Sequence, residues 1–244
     1  AVPHPLAARS NGMTNNSTWH QFTTWFTTKS SWVGGTDGTP GVVHLLVQHL
    51  WISALSLGIT CAIGVPLAGA LARWRRGGIV VTSIANAARS VPIVGVMLLL
   101  AIGPVGIGTE PAVIALVIFA LPPIVTNAFT GLRDVDAETT QAAVGMGMTR
   151  LQVLLRVELP LAIPLIATGI RLAAVQIWAT ATIAAIIGSG GLGQLINVGY
   201  ATQYYGEVYG GVVVIAATAV ALDALLQRVQ TVVRRRFGAQ TVTA

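Results

Sequence analysis

The chain has 244 residues, 54% of them apolar and 9% charged, with a mean hydropathy of +0.74 and a formal charge of +6. An ordinary soluble domain carries about a quarter of its residues as charge, so this composition excludes such a domain and predicts an all-α membrane protein. Cys61 is the sole cysteine, which excludes disulfides within the chain and cysteine metal sites; set in an apolar run, it reads as a buried, inert thiol.

Residues 1–41 make a polar N-terminal arm that holds Trp19, Trp25 and Trp32 among Thr, Ser and Gly. It lacks the basic start and continuous apolar centre of a secretory signal, so it is expected to persist on the outer side, with Met13 a candidate natural start. Asn15 and Asn16 each match Asn-x-Ser/Thr, a string short enough to arise by chance. His4, His20, His44 and His49 precede or open the first apolar run without metal-ligand spacing and are read as solvated or interfacial.

A spanning helix needs about 20 mainly apolar residues, because its backbone must satisfy itself across about 30 Å of hydrocarbon. Segments near 46–72, 79–103, 110–131, 161–187 and 209–228 qualify, giving about five transmembrane helices in a domain over 42–228. Arg73, Arg75 and Arg76 close the first span. Arg133, Arg150 and Arg156 lie between the third and fourth, and Arg228, Arg234, Arg235 and Arg236 follow the fifth in a basic tail over 229–244. Five crossings put all three groups on one side, which the positive-inside rule makes the cytoplasm. The N-terminus is then outside and the C-terminus inside, with Lys29, Asp37, Glu110 and Glu207 on the outer side. This placement accounts for the basic balance without nucleic acid, and the tail could meet anionic membrane lipid.

In the second span Arg89 precedes Ser90-Val91-Pro92, where proline frees a carbonyl and can break the helix. A charge within a span tends to face protein or water, so Arg89 and Pro92 are candidates to line a pathway; a structural ion pair is the alternative for Arg89. The loop over 132–160 is cytoplasmic, and its stretch 134–158 is too charged for lipid yet helix-favouring. Arg171, about ten residues into the fourth span, could snorkel or pair with Asp223 in the fifth. Trp178, deeper, serves as packing or as a gate aromatic.

Gly188, Gly190 and Gly193 match Gly-x-Gly-x-x-Gly, but they follow a span rather than a strand and lack an acidic partner about 20 positions on. No nucleotide site is expected, and Gly190 and Gly191 mark a flexible or tightly turned outer segment. Tyr200, Tyr204, Tyr205 and Tyr209 cluster before the fifth span, as a headgroup-level belt or a cage for a cation. The chain contains no Gly-x-x-x-x-Gly-Lys-Ser/Thr phosphate loop and a single lysine, Lys29, so it houses no ATPase, and no catalytic residue stands out.

Three residues separate Gln141-Ala142-Ala143 from Gly147, and nine separate Gly147 from Val157-Glu158-Leu159-Pro160. This resembles the EAA loop of binding-protein-dependent ABC importer permeases: Glu-Ala-Ala, three residues, Gly, nine residues, Ile-x-Leu-Pro, the element that docks on the ATPase subunit. Gln141 stands for the glutamate and Val157 for the isoleucine; the first change removes a charge able to pair with a basic group on the ATPase. Small Ala142, Ala143 and Gly147 would let another surface approach closely, and Pro160 would open the helix that re-enters the membrane. The resemblance assigns ATPase coupling to Gln141, Ala142, Ala143, Gly147, Met148, Thr149, Arg150, Val157, Leu159 and Pro160.

Gly145-Met146-Gly147-Met148-Thr149, Glu158-Leu159-Pro160-Leu161-Ala162, Gly169-Ile170-Arg171 and Ile187-Gly188-Ser189-Gly190-Gly191-Leu192-Gly193 are similar to the osmoprotectant branch. Asp37-Gly38 and His49-Leu50-Trp51 extend the likeness to roughly residues 20–230. Members of that branch import glycine betaine, carnitine, choline and related solutes. The resemblance implies a type I ABC importer permease fold in a bacterial inner membrane and a non-catalytic subunit. ATP and Mg would be held by separate ATPase subunits, with an external solute-binding protein and a second permease, identical or similar, as further partners. It also suggests a place for Gly190 and Gly191 near the external gate or the docked binding protein. The loop motif is shared widely, which leaves another small solute such as an amino acid open; an ATP-independent channel or secondary transporter would not need the docking loop.

Overall fold

The computed structural model describes residues 18–237 except Asp37, Arg75 and the side chain of Arg89. His4, Met13, Asn15, Asn16 and the tail beyond residue 237 lie outside the described residues. The described helices are α1 (Thr18–Thr27), α2 (Lys29–Val33), α3 (Val42–Ala72), α4 (Gly77–Ser90), α5 (Ile93–Ile102) and α6 (Thr109–Arg133). They continue as α7 (Ala137–Gly145), α8 (Arg150–Val153), α9 (Leu159–Ala184), α10 (Gly193–Ala201) and α11 (Tyr205–Phe237). Among the described residues the β-pairing is one isolated bridge, Gly34 to Pro40.

Long apolar runs with few charges can satisfy their backbones only as helices in lipid, and four runs are long and apolar enough to cross: α3, α6, the continuous run Arg150–Ile187, and α11. α4 and α5 qualify as a fifth only as a pair, bent by 78°. The cause of the bend is local. Pro92 has no N–H for the Ala88 carbonyl, and Val91, forced out of the helical region by the following proline, is extended at φ −89° and ψ 122°.

Helix directions decide whether this broken pair crosses the bundle. Gly64 of α3 lies against Ile124 of α6, and Gly69 lies against Leu132, so α3 and α6 run the same way. The chain between them must return. Gly78 of α4 meets Phe129 near the end of α6, while Met97 and Ala101 of α5 pack with Ile52, Ala112 and Val113 near the starts of α3 and α6. The broken pair therefore makes that return. α9 runs opposite to α6, with Gly131 on Ala162 and Gly169 on Pro123. α11 runs opposite to α9, as the Arg171–Asp223 and Thr168–Gln230 contacts require.

These directions gather the ends of α3, α6 and α11 with the start of the α8–α9 run. Arg73, Arg76, Arg133, Arg150, Arg156, Arg228, Arg234, Arg235 and Arg236 all share that end, whereas Lys29, Glu110 and Glu207 lie at the other. α6 is the hub: 56% of its apolar window is buried within the chain, against 17% for α11. Leu116, Ala120 and Ile124 of α6 are fully covered, while Val212, Val213, Val220 and Leu225 of α11 are exposed, as suits a lipid-facing surface.

The structure refines several expectations. Pro160 sits in the first turn of α9, but that helix is not a fresh start, because it continues a 38-residue run that begins at Arg150. The chain tolerates it by widening the turn over Leu154–Glu158 into a π-helix, in which the Leu159 N–H reaches back to the Leu154 carbonyl. The N-terminal arm is likewise more than a polar tail. Trp25 is buried, packing with Val42, Leu45, Trp178, Leu192, Leu195 and Val214, and its ring fills the notch that Gly210 leaves in α11. Cys61 is half-buried rather than sealed in the core.

Candidate functional site

At the arginine-rich end, α7 begins under an Asp136 cap, whose carboxylate accepts from the Glu138 N–H at 3.0 Å. It ends in a Schellman turn: Gly147 N–H donates to the Val144 carbonyl (2.9 Å) and Met148 N–H to the Ala143 carbonyl (3.2 Å). That turn needs φ of +87° at Gly147, which glycine adopts without steric cost. Thr149 then restarts the helix with a capping box, accepting from Gln152 N–H while Thr149 N–H donates to Gln152 Oε1 at 2.8 Å. Gly147 is thus required by its backbone conformation. Ala143 is not displayed either; it is buried, 3% exposed, on the inner face of α7.

What the segment does display is apolar. Val144, Met146, Leu151 and Leu155 are all more than half exposed, although neighbouring Asp136, Glu138, Arg150 and Arg156 keep this end out of lipid. Contiguous exposed apolar side chains rimmed by charge mark a protein-binding surface. Gln141 and Ala142 are exposed on the same helix, Met148 is half-buried, and Thr149 and Arg150 are exposed. Val157, Leu159 and Pro160 are only partly exposed, set in and just after the π turn.

Between this segment and the end of α3 lies a cleft of about 430 Å³ lined by Arg73, Thr140, Gln141, Val144, Arg150 and Glu158. Arg73 Nη2 donates to Glu158 Oε2 at 3.0 Å, tying the π turn to the first span. Gln141 therefore shares a cleft with two arginines of its own chain.

A second cleft, about 440 Å³, opens among α4, α6 and α9 and is lined by Ala85, Ala88, Phe119, Thr126, Asn127 and Gln176 together with Pro122, Pro123 and Leu172. Its chemistry follows from the paired prolines. Pro123 has no N–H for the Phe119 carbonyl, and Gln176 Nε2 donates to that carbonyl instead, at 2.9 Å. Asn127 Nδ2 donates to the Pro123 carbonyl at 2.8 Å. The wall is uncharged among the described residues.

Of the expected pathway residues, Pro92, Arg171, Trp178, Gly190 and Gly191 do not line this cleft. Arg89 follows the lining residue Ala88, but its side chain lies outside the described residues. Pro92 caps α5 at the bend. Arg171 points the other way, to α11: Nε and Nη2 meet Asp223 at 2.9 and 3.0 Å, and Nη1 reaches Gln230. Trp178 is buried beside α3, where His49 Nε2 lies 3.1 Å from its carbonyl and the two rings meet edge to face. His49, expected at an interface, is 1% exposed. Gly190 and Gly191 are buried too, and with Gly188 they make a tight turn at positive φ. Thr126, Asn127 and Gln176 escaped notice because each is a single polar residue in an apolar span; the Pro122-Pro123 pair is the signal that could have found them.

A family profile described as "Binding-protein-dependent transport system inner membrane component" matches residues 38–239. The chain belongs to this family of ABC importer permeases. Among curated relatives, the Salmonella typhimurium osmoprotectant import permease protein OsmW is 37% identical over 80% of this chain and 93% of its own length. The Listeria monocytogenes carnitine transport permease protein OpuCB is 36% identical over 77% of this chain and 87% of its own. The Bacillus subtilis glycine betaine/carnitine/choline transport system permease protein OpuCB is 33% identical over 73% and 82%. The fold is that of solved ABC importers: the MetNI methionine transporter matches with a TM-score of 0.68 at 22% identity, covering 79% of this chain and 95% of that one.

For a permease of this family, the two clefts and the apolar segment define separate tasks. The segment at the arginine-rich end can hold a partner, and the continuous helix from Arg150 connects it to Gln176 in the membrane cleft.

Proposed function

We propose that this chain is the non-catalytic membrane subunit of an ATP-driven importer for quaternary ammonium osmoprotectants such as glycine betaine, carnitine or choline. The observation that carries the reading is the exposed apolar strip of Val144, Met146, Leu151 and Leu155 at a charged end of the bundle, a surface with no use in an unpartnered channel. Separate ATPase subunits, holding ATP and Mg, dock there. The clustering of described arginines at that end supports its cytoplasmic placement, with the N-terminus outside, where a solute-binding protein delivers the solute. A second permease, identical or similar, completes the pathway across the α4, α6 and α9 face.

The membrane cleft supports the substrate class. The Asn127 and Gln176 amide nitrogens each give one of their two N–H donors to a backbone carbonyl, and their carbonyl oxygens are the acceptors these side chains offer a solute in a cleft also lined by Phe119. A quaternary ammonium group has no hydrogen-bond donor and a diffuse positive charge, which aromatic faces and oxygen dipoles stabilise. The test is uptake by proteoliposomes containing the full complex. Binding-protein-dependent accumulation of glycine betaine or carnitine supports the reading; accumulation of an amino acid alone would assign another solute, and uptake without ATPase subunits would assign a channel or secondary transporter.

A further inference from the structure

The outer loop over 188–193 is held more tightly than a connection requires. Gly188, Gly190 and Gly191 have φ of 76°, 80° and 81°, and Ser189, Gly190 and Gly191 are buried. One span and one turn brace it. From α3, Gln48 donates through Nε2 to the Ser189 carbonyl (3.4 Å) and accepts at Oε1 from the Gly191 N–H (3.1 Å). One side-chain amide thus serves a backbone donor and a backbone acceptor. His49, the next residue, packs between Gly191 and the Trp178 ring of α9. From the turn before α6, the Gly108 N–H donates to the Ile187 carbonyl at 3.1 Å.

The fit is reciprocal. A Cβ at position 190 would lie 2.2 Å from the Gln48 amide nitrogen, and one at position 191 would lie 3.0 Å from His49 Nδ1. These glycines leave room for the two α3 side chains, which in turn hold the loop. At its rim Ile107 and Ile186 are 81% and 57% exposed, and a Cβ on Gly188 would sit 3.0 Å from Ile107. A protein settling on that apolar rim would press directly on the clamped segment.

We infer that Gln48 and His49 are positioning residues that clamp the 188–193 loop and keep the outer end of the pathway shut until the loaded solute-binding protein docks. The inference rests on the importer reading and on this end facing outward. In alternating access, contacts that favour the outer-closed state set how often the complex opens outward unaided.

The experiment uses the full complex in lipid nanodiscs with Gln48→Met, which keeps side-chain bulk and removes both hydrogen bonds. A second variant, Gly190→Ala, attacks the clamp from the loop while leaving Gln48 in place. Amide hydrogen exchange over 187–193 and ATP hydrolysis without binding protein are both recorded. The expected result is faster exchange in that segment and hydrolysis without binding protein raised about tenfold, the population change on losing about one buried hydrogen bond. Unchanged exchange in both variants overturns the clamp. Faster exchange with unchanged hydrolysis reduces the loop to passive packing and overturns its gating role. Failure of the importer reading shows separately, as a native complex whose hydrolysis does not respond to binding protein.

Discussion

Gly145 and Gly147 offer a controlled comparison, because a Cβ added at either meets nothing within 4 Å in this chain. They differ in backbone. Gly145 closes α7 in helical geometry, whereas Gly147 sits at φ +87°. Alanine at 145 should stabilise the helix by roughly 0.5–1 kcal/mol, while alanine at 147 should cost roughly 1–2 kcal/mol through the left-handed conformation. The penalty falls on the turn that orients the exposed Met146 against Thr149 and Arg150, so the docking-competent arrangement should be populated about 5–30-fold less. Titrating nanodisc-embedded permease with labelled ATPase subunit should show that loss of affinity for Gly147→Ala and none for Gly145→Ala. Equal weakening by both would mean that the partner closes onto bare backbone, and no weakening at 147 would remove this segment from docking.

Further outcomes follow from the same geometry. Replacing either Arg171 or Asp223 by leucine leaves the other charge unpaired within a membrane-spanning run, so each single variant should lose thermal stability in detergent while the double variant recovers part of it. Gln176→Leu leaves the Phe119 carbonyl, already without an N–H from Pro123, short of its donor; this should cost about 1–3 kcal/mol and reduce uptake in proteoliposomes. Trp25→Ala empties the notch against Gly210, at about 3–5 kcal/mol for a large aromatic, and should expose α1 to limited proteolysis while α6 stays protected.

The spans, the proline break at Pro92 and the Arg171–Asp223 pair were legible because each depends on residue type and spacing. Apolar run length fixes a crossing, and a missing N–H acts on its own helix. The arginines added a global constraint, since five crossings bring their loops together and the parallel run of α3 and α6 agrees with it. What was not legible depends on contacts between distant segments or on backbone angles. His49 reads as interfacial from its position, yet its burial is created by Trp178 and Gly191. Ala143 and Gly147 look alike as small residues, but one faces inward and the other sets a turn. Pro160 reads as a helix start and lies in the first turn of α9, but sequence cannot show the π turn that joins α9 to the helix before it.

That continuity has a mechanical consequence. The run Arg150–Ile187 has 38 residues, about 57 Å at helical rise, and so links the exposed apolar side chains Leu151 and Leu155, the Gln176 wall of the second cleft and the start of the 188–193 loop. A tilt imposed at Arg150 would reach the outer end only if the helix transmits it stiffly. The widened turn over Leu154–Glu158 and the prolines at 160 and 164 are where its hydrogen-bond ladder is weakest. The Arg73–Glu158 contact lies at that weak point. As an exposed pair it adds only about 0–1 kcal/mol to stability, so its significance lies in position: it ties the flexible turn to the end of α3. The opposite end of α3 carries Gln48 and His49. The first and fourth spans are thus joined at both ends, and movement imposed at the arginine-rich end has a path to the 188–193 loop along two helices.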